Sequence, residues 1–193
     1  MVTAPKILAF AGSARRASFN KQLVRIAANG ALAAGGEVTL VDFRDYPLPL
    51  FDQDDEAERG MPEQALRFKE LMLSHQGFLI SAPEYNSSIT PLLKNAIDWA
   101  SRPVPNEPSL ACFTGKVAVL MSASPGALGG LRGLVHVRAI LGNIGTLVLP
   151  ATISIPKAMD AFAEDGSLRD SGKQAAVAQL GAELVSFLQK HLA

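Results

Sequence analysis

The run Ile7-Leu8-Ala9-Phe10-Ala11 is apolar at every position, and it has the length and composition of a strand buried on both faces. Such a strand needs a covering layer above and below it. Behind it, Leu23, Val24, Ile26, Ala27, Ala31 and Leu32 recur at helical spacing, so the pair opens a βαβ unit. Between them lies Gly12-Ser13-Ala14-Arg15-Arg16-Ala17-Ser18-Phe19-Asn20. Small and hydroxylated residues in this loop present several N–H groups and hydroxyls to one point. Arg15 or Arg16 adds charge, and the helix N-terminus adds partial positive potential. These parts predict a phosphate cradle. The plainer reading is a capped helix with Ser18 as N-cap. A cap alone does not call for a glycine, three hydroxyl or amide side chains and two arginines in one loop.

Two absences narrow the phosphate. The dinucleotide fingerprint G-x-G-x-x-G is missing, since Gly12 is the loop's single glycine, and no Gly-Lys-Ser/Thr follows it. A terminal phosphate held by hydroxyls, as in a mononucleotide, fits better than a pyrophosphate. Asp42, just past the second strand, stands farther on than the roughly 20 residues at which a dinucleotide fold keeps its ribose carboxylate. A strand-end role is expected for it.

The rest of the chain repeats the alternation. Strands are predicted over 37–41, 77–82, 117–121 and 145–149, and helices over 62–75, 92–101, 131–141 and a long C-terminal stretch in which Val177, Leu180, Leu184 and Leu188 share a face. Thr90-Pro91 reads as N-cap and first helical residue. Asp52 to Glu58 reads as a solvated acidic loop. The apolar segment Tyr46 to Phe51 and the helix carrying Trp99 are candidate subunit contacts.

Five strands and five helices in alternation predict an α/β doubly wound parallel sheet with helices on both faces, built as one domain over 1–193. Right-handed crossovers leave two common strand orders, and both place ligands beyond the strand C-termini. The chemically rich loops follow strands one, three and four. With the order 2-1-3-4-5 those strands are neighbours, and their loops surround one pocket.

Composition closes several other routes. Lys plus Arg and Asp plus Glu both number 18, so no net field favours nucleic acid or an anionic membrane. One cysteine, Cys112, allows neither an intramolecular disulfide nor a Cys-based zinc site. His75, His136 and His191 lack metal-ligand spacing, and no metal is expected. Residues 1–6 carry no signal-peptide architecture and no apolar run spans a bilayer, which predicts a cytoplasmic protein.

Gly12-Ser13-x-Arg15-x-x-Ser18-x-Asn20, then Pro83-Glu84-Tyr85-Asn86, then Leu93-Lys94-Asn95-Ala96-Ile97-Asp98-Trp99 resemble the NADPH-dependent FMN reductase family, most nearly its quinone reductase and chromate reductase members. Ser122-x-Ser124-Pro125-Gly126-x-x-Gly129-Gly130-x-Arg132 resembles the family's third flavin loop. The resemblance implies a flavodoxin-like fold with non-covalent FMN. It implies Ser13, Arg15, Ser18 and Asn20 at the phosphate and Pro83, Glu84, Tyr85 and Asn86 against the isoalloxazine ring. Ser122, Ser124 and Gly126 would flank its other side. It further implies a homodimer or homotetramer using NAD(P)H to reduce quinones or similar acceptors, chromate, azo compounds and free flavin among them. Flavin carries hydride chemistry itself, which agrees with the want of an acid–base constellation, and no catalytic side chain is assigned. The alternative is a flavodoxin-like electron carrier, against which the balanced charge counts, since carriers steer by net acidity. A Rossmann dehydrogenase is weakened by the missing glycines.

Overall fold

A computed structural model describes residues 4–191. Five strands, β1 (Lys6–Ala11), β2 (Glu37–Val41), β3 (Gly77–Ser81), β6 (Val117–Ala123) and β7 (Leu147–Ile155), form one parallel sheet in the order β2-β1-β3-β6-β7. This is the flavodoxin-like order the sequence predicts, the last two strands being its fourth and fifth. Burial explains the placement. All of β3 and β6, and β1 from its second residue, are buried, as suits central strands made of uniformly apolar residues. The partly polar β2 and β7 take the edges, where one side meets water.

The period-two alternation divides the core. Ile7, Ala9, Leu79, Val119 and Met121 face helices α1 (Phe19–Ala33) and α6 (Ser171–His191) on one side of the sheet. Leu8, Phe10, Phe78, Ile80 and Leu120 face α3 (Glu63–Ser74), α4 (Pro91–Ala100) and α5 (Leu131–Asn143) on the other. Val177, Leu180, Leu184 and Leu188 are all buried, as their spacing predicts.

Three expectations are corrected. Gln53–Arg59 is not a loop but the short helix α2, because the Asp52 carboxylate accepts from the N–H groups of Asp54 and Asp55 and the acidic first turn suits the helix N-terminus. Residues 83–89 contain a two-stranded hairpin, β4 (Glu84–Tyr85) and β5 (Ser88–Ile89). Its turn residues Asn86 and Ser87 sit at φ 51° and 66°, as a two-residue type I′ turn requires. Of the expected subunit contact, Trp99 is used within the chain, whereas Leu50 in the Tyr46–Phe51 segment stands 79% exposed. Trp99 Nε1 and Asn95 Nδ2 both donate to the Pro49 carbonyl at 2.8 Å, and the Phe51 N–H donates to Asn95 Oδ1 at 2.8 Å. Trp99 is 2% exposed, and the Phe51 ring meets it edge-on.

Candidate functional site

The strands that end at Ala11, Ser81 and Ala123 are neighbours, so the loops that follow rise together on the C-terminal edge and enclose a cleft of about 140 Å³. The first loop contributes Ser13, Arg15, Ser18, Phe19 and Asn20 to its wall. Pro83, Glu84 and Tyr85 come from the second, and Ala123, Ser124 and Pro125 from the third.

The first loop is held from below. The Gly12 N–H donates to the Ser81 carbonyl at 2.9 Å, and the Thr90 hydroxyl donates to the Gly12 carbonyl at 2.7 Å while accepting from the Leu93 N–H. Thr90 is thus the predicted N-cap of α4, and it also ties that helix to the cradle. Ser18 occupies the N-cap position of α1, yet its hydroxyl caps nothing, and no acceptor among the described residues takes the N–H groups of Phe19 and Asn20. The plainer capping explanation of Ser18 therefore fails in its essential bond, while the open helix end persists. Arg15 donates to the Ala17 carbonyl and lies over the Phe19 ring, its guanidinium carbon 5.4 Å from the ring centroid. Arg16 is exposed and does not line the cleft.

Asn20 lines the cleft, but its amide is turned into the protein. Oδ1 accepts from the Ser81 hydroxyl at 2.8 Å and from the Ala123 N–H at 2.9 Å, and Nδ2 donates to the Ala123 carbonyl at 2.8 Å. The side chain expected at the phosphate thus joins α1 to the ends of β3 and β6.

The second and third loops divide differently from expectation. Tyr85 is 57% exposed and stands at the cleft's rim, whereas Asn86 is in the hairpin turn and does not line the cleft. Glu84 lines it, with Oε2 accepting from the Gly133 N–H at 3.0 Å. Ser124 lines the cleft and its hydroxyl accepts from the Gly126 N–H, but Gly126 itself stays outside the wall. Ser122 is fully buried behind Gly130 and reaches no part of the cleft. Phe19, unmarked in the sequence reading, stacks on Phe162 at 5.3 Å and completes the wall; an aromatic inside a cradle loop is the signal that points to it.

Other polar features resolve as structural. Asp42 pairs with Lys21 at 2.6 Å and accepts from the Arg44 N–H. Burial opposes its ionisation, but those partners outweigh it and hold the carboxyl below the usual range. Cys112 is buried, which pushes its thiol pKa up. Among the described residues no group of three or more His, Cys, Asp or Glu is arranged for a metal ion, and no helix is long and apolar enough to cross a membrane.

The family model described as NADPH-dependent FMN reductase matches residues 5–160. An NAD(P)H-dependent FMN reductase of Pseudomonas aeruginosa is 36% identical over 166 residues, covering 86% of this chain and 85% of its own length. A 2-hydroxy-1,4-benzoquinone reductase of a Burkholderia species is 37% identical over 145 residues, 75% of this chain and 74% of its own. The solved structure of the flavoenzyme NAD(P)H:(acceptor) oxidoreductase FerB of Paracoccus denitrificans superposes with a TM-score of 0.78 at 28% identity, over 97% of this chain and 99% of that one.

Proposed function

Because the chain belongs to the NADPH-dependent FMN reductase family, we propose that its cleft seats FMN and uses it to pass hydride from NAD(P)H to quinone-type acceptors. The observation that carries the seat is the idle Ser18 hydroxyl at the open N-terminus of α1, next to Arg15. Unmet donors and a guanidinium converging on one point suit a terminal phosphate. Bound there, FMN supplies the acceptance and release of hydride.

The chain's own residues bind and orient. Ser13, whose hydroxyl accepts from the Arg15 N–H at 3.2 Å, joins Ser18, Arg15 and the Phe19 and Asn20 N–H groups in holding the phosphate. Pro83, Tyr85 and the main chain of Glu84 form one wall for the ring, and Ser124 and Pro125 the other. Asn20 holds the loops at their spacing. The exposure of Tyr85 leaves a rim over which a flat nicotinamide or quinone ring can enter. One open face then serves both substrates in turn.

The chain also associates with copies of itself, in a single-domain subunit. Support for the contact comes from the start of α5, where Leu131 and Val135, one turn apart, stand 47% and 63% exposed, with Leu128 43% exposed in the loop just before them.

Fluorescence titration of apoprotein with FMN tests the seat, and initial rates against NADPH at several quinone concentrations test the shared face. Parallel double-reciprocal lines support alternation, and intersecting lines exclude it.

A further inference from the structure

Helix α5 begins without a side-chain cap of its own. Its N-cap is Gly130, at φ 92°, and a Cβ there would lie 1.9 Å from Ser122 Oγ. Only glycine fits this close, left-handed entry, and glycine brings no side-chain oxygen for the helix's first N–H groups. The missing acceptor comes from elsewhere in the chain. Glu84 Oε2 accepts from the N–H of Gly133, the third residue of the helix, at 3.0 Å. A side-chain acceptor on the N–H at this position is what a capping residue ordinarily supplies. Here it arrives from a β-hairpin, and its negative charge meets the positive end of the helix.

The hairpin is brought up close to receive it. A Cβ on Gly133 would meet the Ser88 carbonyl at 3.2 Å and Glu84 Cβ at 3.4 Å. Two exposed bonds flank the central one: Arg132 donates to the Ser87 hydroxyl at 3.2 Å, and His136 Nδ1 lies 2.9 Å from the Ser88 hydroxyl. Both compete with water, so the charged, partly buried Glu84 bond dominates. The turn between them holds Asn86 and Ser87 in the left-handed region, and Ser pays there a strain that outside contacts must hold in place.

We propose that Glu84 is a positioning residue: its carboxylate locks the hairpin that carries Tyr85 onto the first turn of α5, so that the second and third loops form one rigid wall. The consequence for the cofactor rests on the FMN reading above. A freed hairpin loosens the ring wall while leaving the phosphate cradle intact. The same bond fixes the carboxylate away from a role as a mobile proton donor.

The test compares Glu84→Ala, Glu84→Asp and Glu84→Gln in the full chain. Amide hydrogen exchange at Gly133 reads the bond directly, with or without FMN. Glu84→Ala is expected to speed that exchange roughly tenfold or more, the measured worth of a hydrogen bond to a charged group. Glu84→Asp, one methylene short of the helix, does the same and serves if the alanine variant fails to fold. Glu84→Gln keeps an acceptor oxygen at the same reach and restores part of the protection, the share that does not depend on charge. In the FMN-loaded protein, visible circular dichroism of the flavin weakens in the first two variants and recovers in the third. Unchanged Gly133 exchange in Glu84→Ala or Glu84→Asp overturns the lock. So does a Glu84→Gln protein as perturbed as the alanine one, which would make the charge rather than the tether decisive. If the protein takes up no FMN, the functional reading falls, while exchange in the apoprotein still decides the lock.

Discussion

The side-chain amide of Asn20 and the backbone of Ala123, 103 positions apart, exchange two hydrogen bonds of 2.9 and 2.8 Å. One amide thus takes the place of a strand neighbour at the end of β6 and fixes how far the cradle stands from the third loop. Replacing Asn20 by Ala leaves the Ala123 N–H and carbonyl unmet in a buried site, at a cost of about 1–3 kcal/mol. Denaturant unfolding should show that loss. Asn20→Asp should be at least as damaging, because its second oxygen faces the Ala123 carbonyl instead of donating to it. An aspartate variant of parental stability would contradict this.

Arg15 and Arg16 are neighbours in sequence, but Arg15 alone lines the cleft. Arg15→Ala should weaken FMN binding by roughly ten- to hundred-fold, matching the loss of one charge-assisted bond. Arg16→Ala should leave affinity within about twofold, allowing for weak screening of an exposed charge. Titration of the two apoproteins separates them, and a larger loss for Arg16→Ala would move the role one residue along.

His75 lies nearly buried, with Nε2 2.8 Å from the Thr39 hydroxyl and Nδ1 2.5 Å from the Leu71 carbonyl. Burial, aided by the charges of Lys116 and Lys6, lowers its pKa below the ordinary 6.5, although the Leu71 carbonyl pulls the other way. A base depressed in the folded state binds more protons when unfolded. Its contribution to stability is therefore complete above 6.5 and is lost as pH falls below that value. Denaturation midpoints should decline over this range, and His75→Gln should flatten the decline. Parallel pH profiles for parent and variant would remove His75 from the account.

Association through α5 predicts light-scattering masses of at least twice the 20.4 kDa chain. Val135→Lys, placing a charge on the exposed apolar face, should shift the protein toward a single chain. A parent protein that already scatters as one chain would refute association, and an unmoved variant would exonerate this face.

Much of the fold was legible because its signals are local. The five apolar runs, the Thr90-Pro91 helix start and the spacing of Leu180, Leu184 and Leu188 need no partner to be read. The sheet order came with the family resemblance, and in that order the three chemically rich loops meet. What escaped depended on distant partners. The tie from the Asn20 side chain to Ala123 joins residues far apart in the chain. The capping role of Glu84 required knowing that α5 would start on a bare glycine. The last strand was expected to stop before Pro150, yet it runs to Ile155. A bulge between the Val148 and Thr152 pairings absorbs the proline, and Arg138 donates to the freed carbonyls of Val148, Leu149 and Pro150. In the cleft, the three loops could be read ahead, whereas the depth of Ser122 could not, because residue type gives no measure of burial.

The most direct test of a single flavin cleft passing hydride is an anaerobic titration of the purified, FMN-loaded protein. One equivalent of NADPH or NADH should abolish the flavin's visible absorbance, and one equivalent of a benzoquinone should then restore it. A protein that binds FMN but whose spectrum neither nicotinamide changes would contradict the account.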